Sequence, residues 1–138
     1  MAKTVADIMT SRPAAVEADQ PVAVAAALMR DNDAGAVIVN DNGRVSGIVT
    51  DRDITVRVVA EDKGPDTPVR EACTGSVEAV GPDTSIEQAV QLMRSHAVRR
   101  LPVIEDGRAI GIVSLGDIAM ERDPDSALGD ISAAPGDH

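Results

Sequence analysis

The stretch GIVTDRDI runs from Gly47 to Ile54, and GIVSLGDI runs from Gly111 to Ile118. Each is a glycine, an apolar pair, a hydroxyl residue, two variable positions, an aspartate and an isoleucine. They stand 64 positions apart in a chain of 138. Sliding the chain over itself by that offset lays Val5–Ile54 on Val69–Ile118 without a gap. About a third of the aligned positions are then identical. Thr10 meets Thr74, Asp19 meets Asp83, Leu28-Met29-Arg30 meets Leu92-Met93-Arg94, and Gly43-Arg44 meets Gly107-Arg108. Self-similarity at one fixed offset marks a duplication.

Each copy has the same plan. VADIM or VREAC opens it as a short helix, and a short strand is expected near Ala14–Val16 or Glu78–Val80. Pro21, and the run Asp83-Thr84-Ser85-Ile86-Glu87, are helix-start residues. Apolar positions then recur at helical spacing: Val22, Ala25, Ala26, Met29, and Ile86, Ala89, Val90, Met93. A buried strand follows at Ala36–Val39 or Leu101–Ile104. The turns Asp41-Asn42-Gly43 and Glu105-Asp106-Gly107 lead into a second strand, VSGIVT or AIGIVS. A second helix starts near Asp53 or Asp117. The fold class is α/β (α+β), each copy reading α-β-α-β-β-α. Residues 1–64 form the first repeat, 65–122 the second, and 123–138 an acidic tail expected to be poorly ordered. A repeat of this size has little core alone, so the copies are expected to pair through their sheets as a pseudo-twofold unit.

The apolar share of 43% suffices for a core, but there is no Phe, Tyr or Trp. A flat ligand would have to lie between aliphatic side chains. The net charge of −10 and pI near 4.5 argue against a nucleic-acid surface, which needs clustered Lys and Arg. Cys73 is the single cysteine, so no intrachain disulfide forms, and a Cys/His zinc site is disfavoured with two histidines. No apolar run reaches the roughly 20 residues of a membrane span, and MAKTVADIMT lacks a signal-peptide core. A cytoplasmic location without membrane attachment is expected.

The repeated phrase supports two readings. Thr50 with Asp53, and Ser114 with Asp117, have the spacing of a helix N-cap and an acidic residue three positions on. Gly47 and Gly111 then simply relieve crowding in a strand. The same residues suit a nucleoside phosphate. A helix N-terminus and a hydroxyl favour phosphate, and a carboxylate accepts from vicinal ribose hydroxyls. The two readings are compatible.

DIMT at Asp7–Thr10, VRRLPVIEDG at Val98–Gly107 and the two quoted phrases together resemble the cystathionine β-synthase (CBS) domain, and two in tandem resemble a Bateman module. The resemblance covers about Val5 to Met120. It implies binding of an adenosine nucleotide (AMP, ADP, ATP) or S-adenosylmethionine as ligand, with no cofactor required. It implies Asp53 and Asp117 on ribose and Thr50 and Ser114 on phosphate or ribose. Ile48 and Ile112 would each cover an adenine face. It further implies that each cleft is completed by the other repeat, Asp117 facing Ala14 and Ala34, and Asp53 facing Glu78 and Val98. Arg99 and Arg100 match the family's basic pair before Leu-Pro-Val, whereas Gly35 and Ala36 stand there in the first repeat. Arg52 is a further phosphate candidate. The plainer alternative is that these arginines are solvated or acid-paired. Glu78 would either repel phosphate or bond the adenine amino group. The Asp117 site is expected to be at least as good as the Asp53 site.

Met9, Met29, Met93 and Met120 are expected in the core, with Cys73 as a small buried apolar residue and His96 at the surface or a cleft. No nucleophile–base pair or P-loop is visible, so a non-enzyme is expected. The leading reading is a stand-alone regulatory nucleotide sensor, acting as a homodimer or through a protein effector. The alternative is a dimerisation scaffold with vestigial clefts.

Overall fold

Asn42-Gly43 and Asp106-Gly107 take positive φ at both positions, 54° and 79° in the first pair, 54° and 80° in the second. These angles make two-residue turns of the type that matches strand twist, and each closes a hairpin. The structure is a computed structural model that describes residues 3–73 and 78–122; the expected tail lies outside the described residues. The first hairpin joins β3 (Ala36–Asp41) to β4 (Arg44–Thr50), and the second joins β5 (Arg100–Glu105) to β6 (Arg108–Ser114). The two ladders are superimposable in register. Val37↔Val49 answers Leu101↔Val113, and each ladder shifts at the same place, after Val39 and after Val103.

β2 (Ala15–Glu17) runs parallel to β3 on its far side, completing a three-stranded sheet in the order β2-β3-β4. The matching strand expected at Glu78–Val80 shrinks to a single bridge, Val80↔Val103. Two prolines explain the loss. In the first repeat, Ile38 N–H donates to the Ala14 carbonyl and Ala18 N–H to the Asn40 carbonyl, both at 2.9 Å. Pro102 and Pro82 occupy the equivalent positions and have no N–H to donate.

The second sheet instead gains β1 (Thr10–Ser11), a strand not foreseen from the sequence. It pairs antiparallel with β6, in the order β1-β6-β5, through Thr10↔Ile112 and Ser11↔Gly111. Gly111 makes this approach possible: a Cβ there would overlap Met9 Sδ and lie 2.8 Å from Met9 Cγ and 3.0 Å from the Thr10 carbonyl.

The long helices are α1 (Val22–Asn32) and α3 (Ile86–His96). Ser85 is the N-cap of α3, accepting from Gln88 N–H while Gln88, rather than Glu87, reaches back to Ser85 N–H. Pro21 is the N-cap residue of α1, one position before the helix, and supplies no side-chain cap. The second helices are α2 (Asp51–Ile54), continued by a π turn at Thr55–Val59, and α4 (Leu115–Arg122). VADIM and VREAC do not form α-helices. Only 3-10 turns appear, at Val5–Asp7 and Val69–Glu71, because neither run is long enough to propagate a helix, even though the Asp7 carboxylate caps the first by accepting from the Lys3 and Thr4 N–H groups.

The described residues divide into two compact units, residues 14–73 and residues 3–13 with 78–122. Each is built around one aliphatic core. In the first, Val16, Val22, Ala25, Met29, Val37, Val39 and Val49 surround the fully buried Val69. In the second, Val80, Ile86, Ala89, Met93, Leu101, Val103 and Val113 surround Val5. Thus the 3-10 turn that opens each repeat packs with the hairpin and long helix of the other. Two core expectations are corrected. Ala26 is exposed because it lies off the α1 stripe centred on Val22, Ala25 and Met29, and Met120 is 39% exposed on α4. Met29 and Met93 are buried, and Met9 packs half-buried against its core.

Candidate functional site

β4 and β6 each deliver a hydroxyl residue to the start of a helix. Thr50 Oγ1 accepts from Asp53 N–H at 3.1 Å, and Asp53 Oδ2 accepts from Thr50 N–H at 2.9 Å. Ser114 and Asp117 repeat this at 3.1 and 2.9 Å. Reciprocal capping is therefore present in both copies. It does not exhaust the site. An ionised carboxylate accepts at both oxygens, and each cap uses only Oδ2. The hydroxyl, as acceptor in the cap, keeps its own proton to donate.

Beyond the caps the two copies differ. In the first, all three opening N–H groups of α2 are taken: Asp51 by the Gly35 carbonyl at 3.1 Å, Arg52 by Asp51 Oδ1 at 2.8 Å, and Asp53 by Thr50. The expectation of a helix end offering free donors to phosphate fails there, because Asp51 folds its own carboxylate onto the turn. In the second copy, Leu115 N–H donates to the Arg99 carbonyl at 2.8 Å and Asp117 N–H to Ser114. Gly116 N–H meets no acceptor among the described residues, since position 116 has no carboxylate before it to fold back.

The cations differ too. Arg100 sits directly opposite Ser114 in the β5–β6 register and is half-buried, with Arg99 exposed beside it. Among the described residues neither guanidinium has a carboxylate partner, so the acid-paired alternative is not what the structure contains. Arg52 is exposed. The cation next to Asp53 is one the sequence reading missed: Arg57 Nη2 lies 4.0 Å from Asp53 Oδ1, while its Nη1 donates to the Ala72 carbonyl at 2.9 Å. Its position four residues after the motif aspartate, one helical turn on, was the available signal.

The remaining candidates have defined surroundings. Ile48 is buried opposite Ile38, and Ile112 is half-buried opposite Pro102 and Thr10. The Ala14 carbonyl is occupied by Ile38 N–H. Ala34 and Val98 follow the left-handed residues that end α1 and α3, and donate their N–H groups to Met29 and Met93 carbonyls at 2.9 and 3.0 Å. Glu78 stands 3.6 Å from His96 Nε2, both about half-exposed. Ala14, Ala34, Ile48, Thr50, Arg52 and Asp53 belong to one compact unit. Val98, Arg99, Arg100, Ile112, Ser114 and Asp117 belong to the other.

Cys73 is half-buried; burial, with the nearby Asp53 charge adding to it, pushes its thiol pKa up and keeps it protonated. Among the described residues no group of three His, Cys, Asp or Glu is placed to hold a metal, and no helix is long and apolar enough to cross a membrane. A groove of about 520 Å³, also missed, lies between Ala79–Gly81 and the Gln88–Leu92 face of α3 and contains none of the motif residues.

Comparison with known proteins places these features in a family. The family model for the CBS domain matches twice, over residues 5–60 and 69–123. The CBS domain-containing protein YhcV of Bacillus subtilis is 37% identical over 126 residues, spanning 91% of this chain and 90% of that protein. The solved structure of Hypoxic Response Protein I, described with two coordinated zinc ions, superimposes with a TM-score of 0.76 at 35% identity, covering 84% of this chain and 96% of that one. Hypoxic response protein 1 of Mycobacterium tuberculosis is 37% identical over 127 residues, 91% of this chain and 88% of that protein. A hexameric CBS-CP12 protein from bloom-forming cyanobacteria gives a TM-score of 0.78 at 27% identity, covering 93% of this chain and 78% of its own.

Proposed function

The chain belongs to the CBS-domain family, and we propose that it is a regulatory module that binds an adenosine nucleotide and performs no chemistry of its own. The observation that carries the reading is the second motif. Asp117 keeps Oδ1 clear of its cap, Gly116 N–H has no acceptor among the described residues, and Arg100 lies opposite Ser114 without an acidic partner. A ribose diol suits the first of these, and a phosphate suits the other two. The lack of aromatic residues fits a ligand held by aliphatic faces, with Ile112 and Ile48 as candidates. Binding can act on a partner or on a second copy only through whatever difference in affinity the ligand has for two arrangements.

Isothermal titration with AMP, ADP, ATP and S-adenosylmethionine tests the reading. Saturable heat that Asp117→Ala weakens strongly is the expected result. A folded protein that gives no heat with any of the four would sink it.

Self-association is the second reading, and one observation favours it. Val56 and Met120 occupy equivalent positions in the two repeats, and both are exposed, at 47% and 39%. Val59 and Leu115 on the same two helical segments are exposed as well. Sedimentation velocity of Val56→Lys against the parent protein separates a scaffold from a monomeric sensor.

A further inference from the structure

We infer that Arg57 is the anion-recognising residue of the Asp53 half-site, doing there what Arg99 and Arg100 are placed to do beside Ser114. The inference rests on the nucleotide-binding reading.

Four observations carry it. First, the first repeat has Gly35 and Ala36 where the second has its arginine pair, so its strand supplies no cation. Second, Arg57 is half-exposed yet held from two sides. Nη1 is anchored on the carbonyl of the fully buried Ala72, and Nη2 faces Asp53 Oδ1 at 4.0 Å, beyond hydrogen-bond reach. A guanidinium has five N–H donors in a rigid fork, so most of them remain to meet an anion. Third, Arg57 lies in the π turn Thr55–Val59, closed by Ala60 N–H on the Thr55 carbonyl at 2.9 Å. The equivalent part of the second repeat is ordinary α-helix through Arg122. Such turns are uncommon and concentrate at functional positions. Fourth, the residue equivalent to Arg57 is Glu121, so the two repeats reverse the charge at this point.

Together these give the two half-sites different sources of positive charge: a strand in one, a helical turn in the other. Arg57 also offsets the Asp53 charge that an anionic ligand would otherwise meet, while the carboxylate remains able to accept from a neutral diol. Arg57 should therefore matter for the phosphate of a nucleotide and hardly at all for the nucleoside.

The experiment uses the full chain carrying Asp117→Ala, which confines binding to the Asp53 half-site, titrated with AMP and with adenosine. Adding Arg57→Gln should weaken AMP about tenfold and adenosine less than twofold. Arg57→Lys should restore most of the preference for AMP. Equal weakening of both ligands would assign Arg57 to structure alone, and no change would remove it from the site; either overturns the inference. If Asp117→Ala abolishes all binding, nucleotide binding stands and this inference falls. If the parent protein binds no adenosine compound, both fall. Should Arg57→Gln fail to fold, the Nε–H resonances of the parent protein decide. An arginine signal assigned to Arg57 should shift with AMP and stay still with adenosine, and an unmoved signal under AMP counts against the role.

Discussion

The two quoted phrases fold into the same cap and then diverge in everything around it. After Thr50, Asp51 closes the helix end on itself and the nearby cation comes from Arg57. After Ser114, Leu115-Gly116 leaves one N–H without an acceptor among the described residues, and the cations come from β5. The sheets diverge in parallel. One keeps a parallel strand at its edge, while the other has lost most of it to Pro82 and Pro102 and carries β1 instead. Duplication thus preserves the backbone hydrogen bonds that make a helix start, while single substitutions at variable positions redistribute charge and donors. Identity of motif is therefore a poor measure of equality of site.

The sharpest way to break the comparison is at Gly111. Gly111→Val should cost about 3 kcal/mol, because the new side chain collides with Met9 and the Thr10 carbonyl and forces β1 off the sheet. Urea denaturation measures it, and a cost below 1 kcal/mol would mean the β1 pairing is dispensable. Next comes binding. Asp117→Ala should weaken AMP roughly thirtyfold, about 2 kcal/mol, and Asp53→Ala clearly less. Calorimetry showing the reverse order would overturn the ranking of the two half-sites. Each substitution should also cost about 1 kcal/mol of stability through the lost cap, a term common to both copies.

Smaller effects sharpen the comparison at the helix ends. Asp33 and Ala97 both end their helices in the left-handed region, at φ of 51° and 52°. Aspartate tolerates that region better than alanine does, so Ala97→Gly should stabilise by up to about 1 kcal/mol in thermal unfolding. The smallest effect is at Cys73. Its pKa is raised in the folded state by burial, so the folded chain holds the thiol proton where the unfolded chain has lost it. The contribution to stability is accordingly intact below the ordinary thiol pKa and falls as pH rises above it. Cys73→Ala should flatten that part of the pH–stability curve, and an unchanged slope would exclude the thiol as its source.

Much of the fold was legible because it is encoded locally. Asn42-Gly43 and Asp106-Gly107 specify their turns by backbone conformation, the AVIV and LPVI runs specify buried strands, and the spacing of Val22, Ala25 and Met29 specifies a helix face. The duplication and the capping pairs were equally plain, since each is a pattern of residue types at fixed spacing. Where the reading went astray, the cause lies in neighbours distant in the chain. Nothing near Thr10 announces a strand, because that strand exists only through the bare Cα of Gly111, about a hundred residues on. The trimmed strand at Val80 depends on Pro102 across the ladder. Which N–H groups stay open at a helix start depends on whether a side chain folds back and on which carbonyl an adjacent strand presents. Hydrogen-bond donors are counted in sequence but satisfied in space. The residue types and their spacing therefore define the elements and the candidate chemistry, while tertiary packing decides which of that chemistry is still available to a ligand.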